Sequence, residues 1–138
     1  MKVLVMEDNP VNMTLTVELL SQLGLEAVCA SDADSGIKIA RQVRPSLILV
    51  DIQLPGIDGL QAARILKADP VMRDTKIVAV TAFAMQGDRE KIIEAGCDAY
   101  ISKPIRYKEF LDTIKGLLQR QHSRSSEIDV TKGERADD

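Results

Sequence analysis

The sequence predicts an α/β fold: a doubly wound sheet of five parallel strands with helices on both faces. Three observations carry this. Five short apolar segments rich in β-branched residues, Lys2–Met6, Glu26–Ala30, Ser46–Val50, Lys76–Val80 and Ala99–Ser102, read as strands. Several are apolar at consecutive positions, as strands buried on both faces must be. Longer amphipathic segments separate them, and a strand joined to the next through a crossover helix returns parallel to it.

The helices follow in order. Asn9 caps the first, and Pro10 sits in its first turn, where a missing N–H is harmless. Leu15, Leu19 and Leu23 share its apolar face, and Gly24 stops it. The second starts at Ser31, with Asp34 as the far member of a weak capping box. It carries Ile37, Ala40 and Val43 and ends before Pro45. The third runs from Asp58-Gly59 to about Ala68, and the fourth from about Gln86 to Ala95, stopped by Gly96. The last spans Tyr107–Arg120, with Phe110, Ile114 and Leu117 on one stripe. Residues 1–120 of the 138 therefore read as one domain. Residues 121–138 are polar and without sustained period, and read as a flexible tail or the stub of a linker.

Composition excludes several functions. The net charge is −3, the basic residues are scattered, and there are two Phe, two Tyr and no Trp. That leaves neither a basic footprint for nucleic acid nor a platform for stacking bases. The apolar N-terminus is too short for a signal peptide and nothing approaches transmembrane length, which places the protein in the cytoplasm and off the membrane. Cys29 and Cys97 form no C-x-x-C pair and read as buried, reduced thiols.

In a parallel sheet the carboxyl ends of all strands lie on one edge, and ligands bind there. Glu7-Asp8 follow the first strand, Asp51 the third, Thr81 the fourth and Ser102-Lys103-Pro104 the fifth. Three gathered carboxylates repel one another unless a cation joins them. A hard divalent ion with oxygen donors, magnesium above all, suits the set, because it keeps several waters and takes few carboxylates. Lys103 adds a positive charge and Thr81 a hydroxyl. Such a pocket suits a phosphoryl group carried on one of its carboxylates, since phosphoryl transfer asks mainly for positioning and charge neutralisation. Taken singly, each residue has an ordinary role. The acidic pair favours a helix N-terminus, Asp51 starts a turn before Pro55-Gly56, Thr81 caps a helix and Lys103-Pro104 makes a loop. The constellation is far harder to explain by chance than any member.

Glu7-Asp8, then Asp51 within Leu-Ile-Leu-Val-Asp-Ile-Gln-Leu-Pro-Gly-Ile-Asp-Gly, then Val-Thr-Ala, then Lys103-Pro104, resemble the receiver domains of two-component response regulators over about residues 1–120. The stretches Val80–Asp88 and Ala99–Ile105 are similar to those of DivK-type cell-division regulators and to receivers attached to hybrid histidine kinases. The resemblance implies a flavodoxin-like, CheY-like (βα)5 fold with strand order 2-1-3-4-5. It implies a single-domain switch in a phosphorelay, not an enzyme, with self-phosphorylation and autodephosphorylation chemistry of its own. Asp51 would take the phosphoryl group from a sensor histidine kinase or a histidine phosphotransferase. Asp8, Asp51 and the backbone carbonyl of Gln53 would hold Mg²⁺, with Mn²⁺ as a substitute and Glu7 acting through a water. Thr81, the Ala82 N–H and Lys103 would bind phosphoryl oxygens, and the bond to Pro104 would be cis. Thr81 and Tyr100 would form the switch. Phe83, Ala84, Met85, Ile105 and Tyr107 would line the face that a downstream protein reads, on a monomer or weak dimer.

Other readings fit worse. A haloacid-dehalogenase-like phosphatase needs Asp-x-Asp after the first strand, where this chain has Glu7-Asp8-Asn9-Pro10. A flavin-binding relative of the same fold would find its phosphate repelled by Glu7-Asp8. A phosphorylation-independent binding module usually lacks one of the site residues, and all are present. A receiver cut from a larger regulator or hybrid kinase would share the same chemistry.

Overall fold

Strand and helix alternate from Lys2 to Ser125, as the apolar pattern requires. The computed structural model describes residues 1–54, 56, 58–82 and 86–125, with the backbone alone for 86–88 and 120–125. The order is β1 (Lys2–Met6), α1 (Pro10–Gln22), β2 (Glu26–Ala30), α2 (Ala33–Val43), β3 (Leu47–Asp51), α3 (Gly59–Ala68), β4 (Lys76–Thr81), α4 (Gln86–Glu94), β5 (Ala99–Ser102) and α5 (Tyr107–Ser125). All pairings are parallel and the sheet order is β2-β1-β3-β4-β5. The winding reverses between β1 and β3, so the crevice of this sheet opens over the ends of those two strands.

The two-residue alternation of each strand divides the core in two. Leu4 and Met6, Ile48 and Val50, and Ile77 face α2 and α3, where they meet Ile37, Ala40, Ala62 and Leu66. Val3 and Val5, Leu47 and Leu49, and Val78 and Val80 face the other way, onto Leu19 and Leu20 of α1 and Phe110, Ile114 and Leu117 of α5. Burying both faces of β1, β3 and β4 fixes their register, because a one-residue slip would exchange the two cores.

Caps set most helix ends. The Asn9 side chain accepts from the N–H of Val11 and Asn12, and Pro10 fills the first turn of α1. Asp58 caps α3 through the Gln61 N–H at 2.8 Å. α2 departs from expectation: its cap is Asp32, which accepts the Ser35 N–H at 2.8 Å, not Ser31. Asp and Ser cap about equally well, so residue type alone did not decide between neighbours. Arg44 ends α2 in the left-handed region at φ 51, because Pro45 disfavours a right-handed helical conformation in the residue before it. A 3-10 turn, Pro70–Met72, capped by Asp69, was not foreseen. It repeats the cap-then-proline signal of Asn9-Pro10.

Three further differences concern the ends and edges. β3 closes on Asp51 and β4 on Thr81, one residue later than the apolar runs suggested. α5 continues to Ser125, past the expected end at Arg120; its last turns carry no apolar stripe to reveal them. Residues 126–138 lie outside the described residues. Cys29 is exposed and Cys97 half-buried, both free thiols. Cys29 falls on β2, an edge strand whose pattern is only partly buried, so the expectation of a buried thiol fails there.

Candidate functional site

The site gathers at the crevice over β1 and β3. Just past β1, the Glu7 N–H donates to the Ala30 carbonyl at 3.0 Å, which carries the chain one residue beyond the strand and turns the Glu7 carboxylate inward. Glu7 is 5% exposed and Asp51, at the end of β3, only 3%. Asp8 stands exposed at the mouth. One carboxylate oxygen from each of Glu7, Asp8 and Asp51 can be chosen so that all three lie within 4.8 Å of one another.

Each buried oxygen has an assigned partner. Glu7 Oε2 accepts the Asn9 N–H at 3.1 Å, and Asp51 Oδ1 accepts the Gln53 N–H at 3.0 Å. Lys103 Nζ donates to Asp51 Oδ2 at 2.9 Å and lies 3.4 Å from Glu7 Oε1. Lys103 is placed from its own backbone: its N–H donates to the Thr81 carbonyl at 2.7 Å, and the peptide bond to Pro104 is cis. Thr81 is buried at the end of β4, paired in register with Ser102.

Burial pushes the Glu7 carboxyl above the usual carboxylate range. The Asn9 N–H opposes that rise, the bond to and charge of Asp51 add to it, and Lys103 lowers it. Burial also works against the Lys103 charge, but hydrogen bonding to Asp51 and the fields of Asp51 and Glu7 outweigh it, and its pKa is raised. Among the described residues the pocket thus holds three carboxylates against one ammonium. Hard oxygen donors, an excess of negative charge and one open side fit a divalent cation that keeps part of its water shell.

The structure brings Glu7, Asp8, Asp51 and Lys103 together, with Gln53 and Thr81 bonded to or neighbouring them. Ala82 follows β4 and is exposed. Tyr100 sits on β5, half-buried, with the Arg89 guanidinium 5.4 Å from its ring centroid. Ile105 packs on the core shared by α1 and α5. Tyr107 is exposed, and its hydroxyl donates to Gln22 Oε1 of α1 at 2.9 Å. Phe83, Ala84 and Met85 lie outside the described residues. Two contacts had no sequence signal: the Arg89–Tyr100 stacking, and the close seat of Gly59 against Asp51.

This fold and this acidic, lysine-bridged crevice define a receiver. The model of the response regulator receiver domain matches residues 3–115, and the chain belongs to that family. Within it, the chain is 46% identical over 116 residues to the polar-differentiation response regulator DivK of Brucella anthropi, covering 84% of this chain and 94% of that protein. Among solved structures, it is similar to the receiver domain of a sensor histidine kinase from Pseudomonas aeruginosa PAO1, solved with a magnesium ion coordinated in its active-site cleft. The TM-score is 0.75, with 37% identity and coverage of 87% of this chain and 95% of that one. A CheY-like receiver domain protein from Methanospirillum hungatei JF-1 superposes with a TM-score of 0.81 at 28% identity, covering 89% of this chain and 97% of that one.

Proposed function

We propose that Asp51 is the phosphoacceptor of a Mg²⁺-dependent switch, loaded by a histidine kinase or a histidine phosphotransferase. The observation that carries this is the clamp of Lys103 on Asp51 Oδ2 beside the oxygens of Glu7 and Asp8. An Asp51 oxygen attacks phosphorus of a phosphohistidine; the new P–O bond forms as the P–N bond breaks, and the electron pair leaves with the imidazole nitrogen. Asp8, Asp51 and the Gln53 carbonyl would hold Mg²⁺, or Mn²⁺ in its place, with Glu7 acting through a water, and the ion supplies charge neutralisation for the phosphoryl oxygens. The Mg²⁺ in the Pseudomonas receiver supports that assignment.

The chain's own residues do the rest. Lys103 Nζ, already on an Asp51 oxygen, passes to a phosphoryl oxygen. The Thr81 hydroxyl and the Ala82 N–H take the others. Drawing Thr81 toward the phosphoryl group vacates space beside β5, and Tyr100 turns into it. The phosphoryl group acts by favouring one of two states, so the switch is a population shift. Phe83, Ala84, Met85, Ile105 and Tyr107 would line the face read by a downstream protein, and the Tyr107 bond to Gln22 would couple α5 to α1. Among the described residues no helix is long and apolar enough to cross a membrane, and we assign the protein to the cytoplasm.

Incubation with acetyl phosphate and Mg²⁺, followed by intact mass, tests the reading. The wild type should gain one phosphoryl group and Asp51→Asn none. An unlabelled wild type, or equal labelling of both, contradicts it.

A further inference from the structure

Ile52, the residue after Asp51, has its backbone held on two sides. Its N–H donates to the Val80 carbonyl of β4 at 3.1 Å, and its carbonyl accepts the Gly59 N–H at 2.8 Å. The second bond presses the first residue of α3 against the end of β3. A Cβ on Gly59 would overlap the Asp51 carbonyl oxygen and stand 2.7 Å from Ile52 Cα and 2.8 Å from the Asp51 carbonyl carbon. These are backbone atoms, so no side-chain rotation relieves the overlap. At Gly36 and Gly96 the encroached atoms belong instead to the side chains of Met6 and Lys67, which can move. Asp58 caps α3 one residue before Gly59 and fixes where the helix begins.

Position and chemistry meet at the next residue. The Gln53 N–H donates to Asp51 Oδ1 at 3.0 Å, so the carboxylate is aimed by the residue immediately beyond the clamp. A shift of the Ile52 peptide moves the Asp51 carboxylate and the Gln53 carbonyl together. We propose that Gly59 is a positioning residue for the phosphoacceptor loop: its missing side chain lets α3 grip Ile52 and thereby sets the direction of Asp51 and Gln53 toward the cation. This rests on the reading of the site given above. A methyl group at position 59 forces α3 back or the loop forward, and either lengthens the Gly59–Ile52 bond.

The test compares Gly59→Ala with Leu66→Ala, a cavity in the buried part of the same helix, by thermal melting and by Mg²⁺ titration followed by NMR. Both should lower the melting temperature. Gly59→Ala should weaken Mg²⁺ binding at least tenfold and slow labelling by acetyl phosphate, whereas Leu66→Ala should stay within about twofold of wild type. Equal Mg²⁺ affinity in Gly59→Ala and wild type, or an equal loss in Leu66→Ala, overturns the proposal. If Gly59→Ala does not fold, the wild type alone decides. Coupling is reciprocal, so saturating Mg²⁺ should slow amide exchange at Gly59 more than at Leu66, and an unchanged Gly59 rate overturns the proposal. A wild type that neither binds Mg²⁺ nor takes label removes the underlying reading instead, which separates the two failures.

Discussion

Lys103 at the end of β5 reaches over β4 to bond Asp51 at the end of β3, Nζ to Oδ2 at 2.9 Å. The same ammonium faces Glu7 past the end of β1. One side chain therefore ties together the carboxyl ends of strands that span most of the sheet, and it supplies the charge against which two buried carboxylates are balanced.

Lys103→Ala should leave Glu7 and Asp51 buried without that partner. Lys103 is partly exposed, so the loss of stability should be about 1–3 kcal/mol, well below that of a fully buried pair. Mg²⁺ should recover more stability in the variant than in the wild type, because a cation beside the same carboxylates no longer meets the repulsion of an ammonium. Thermal melts with and without Mg²⁺ measure both. A variant as stable as wild type, or one that gains nothing extra from Mg²⁺, would show that Lys103 does not balance these carboxylates.

The Arg89–Tyr100 contact bears on the proposed switch. The guanidinium is exposed, and such stacking contributes about 0.5–1 kcal/mol. Arg89→Ala should therefore move the ring's inward population by roughly two- to fivefold before any phosphorylation. The chemical shifts of the Tyr100 ring report that population. Identical ring shifts in the two proteins would mean that the Arg89 contact does not bias the aromatic.

Much of this architecture is legible in the sequence, for identifiable reasons. Burial on both faces leaves continuous apolar runs in β1, β3 and β4, and Asn9-Pro10, Asp58-Gly59 and Gly96 mark helix ends by local backbone chemistry. Glu7, Asp8, Asp51 and Lys103 could be placed together because the parallel topology sends every strand end to one edge. What stayed hidden either left no local signal or was set by tertiary contact. Nothing local distinguishes Asp32 from Ser31 as a cap. Nothing in a run of polar residues shows that α5 continues to Ser125. Arg89 looks like any solvated helix charge, and nothing near Tyr107 announces its bond to Gln22, until the fold sets one on Tyr100 and the other on Gln22.

Acid should act partly through Asp69. The Val71 N–H, and then the Arg41 side chain, hold its carboxyl below the usual range. A depressed folded-state pKa contributes stability that is present above the unfolded value, about 3.9, and is lost as pH falls through the folded value. Asp69→Asn keeps a side-chain oxygen for the Val71 N–H but removes the charge facing Arg41. The gap in melting temperature between wild type and Asp69→Asn should be constant above about pH 5 and shrink below about pH 4. A gap that persists unchanged into acid would place the stabilisation elsewhere.

The central claim is that Asp51 itself carries the phosphoryl group. Borohydride cleaves an acyl phosphate and converts the aspartate that carried it to homoserine, leaving a permanent mark on that residue. Protein treated with acetyl phosphate and Mg²⁺, reduced and digested, should show homoserine at position 51 and at no other acid, with none when Mg²⁺ is withheld. Homoserine at Asp8 or elsewhere, or none at all from a labelled protein, would contradict the account.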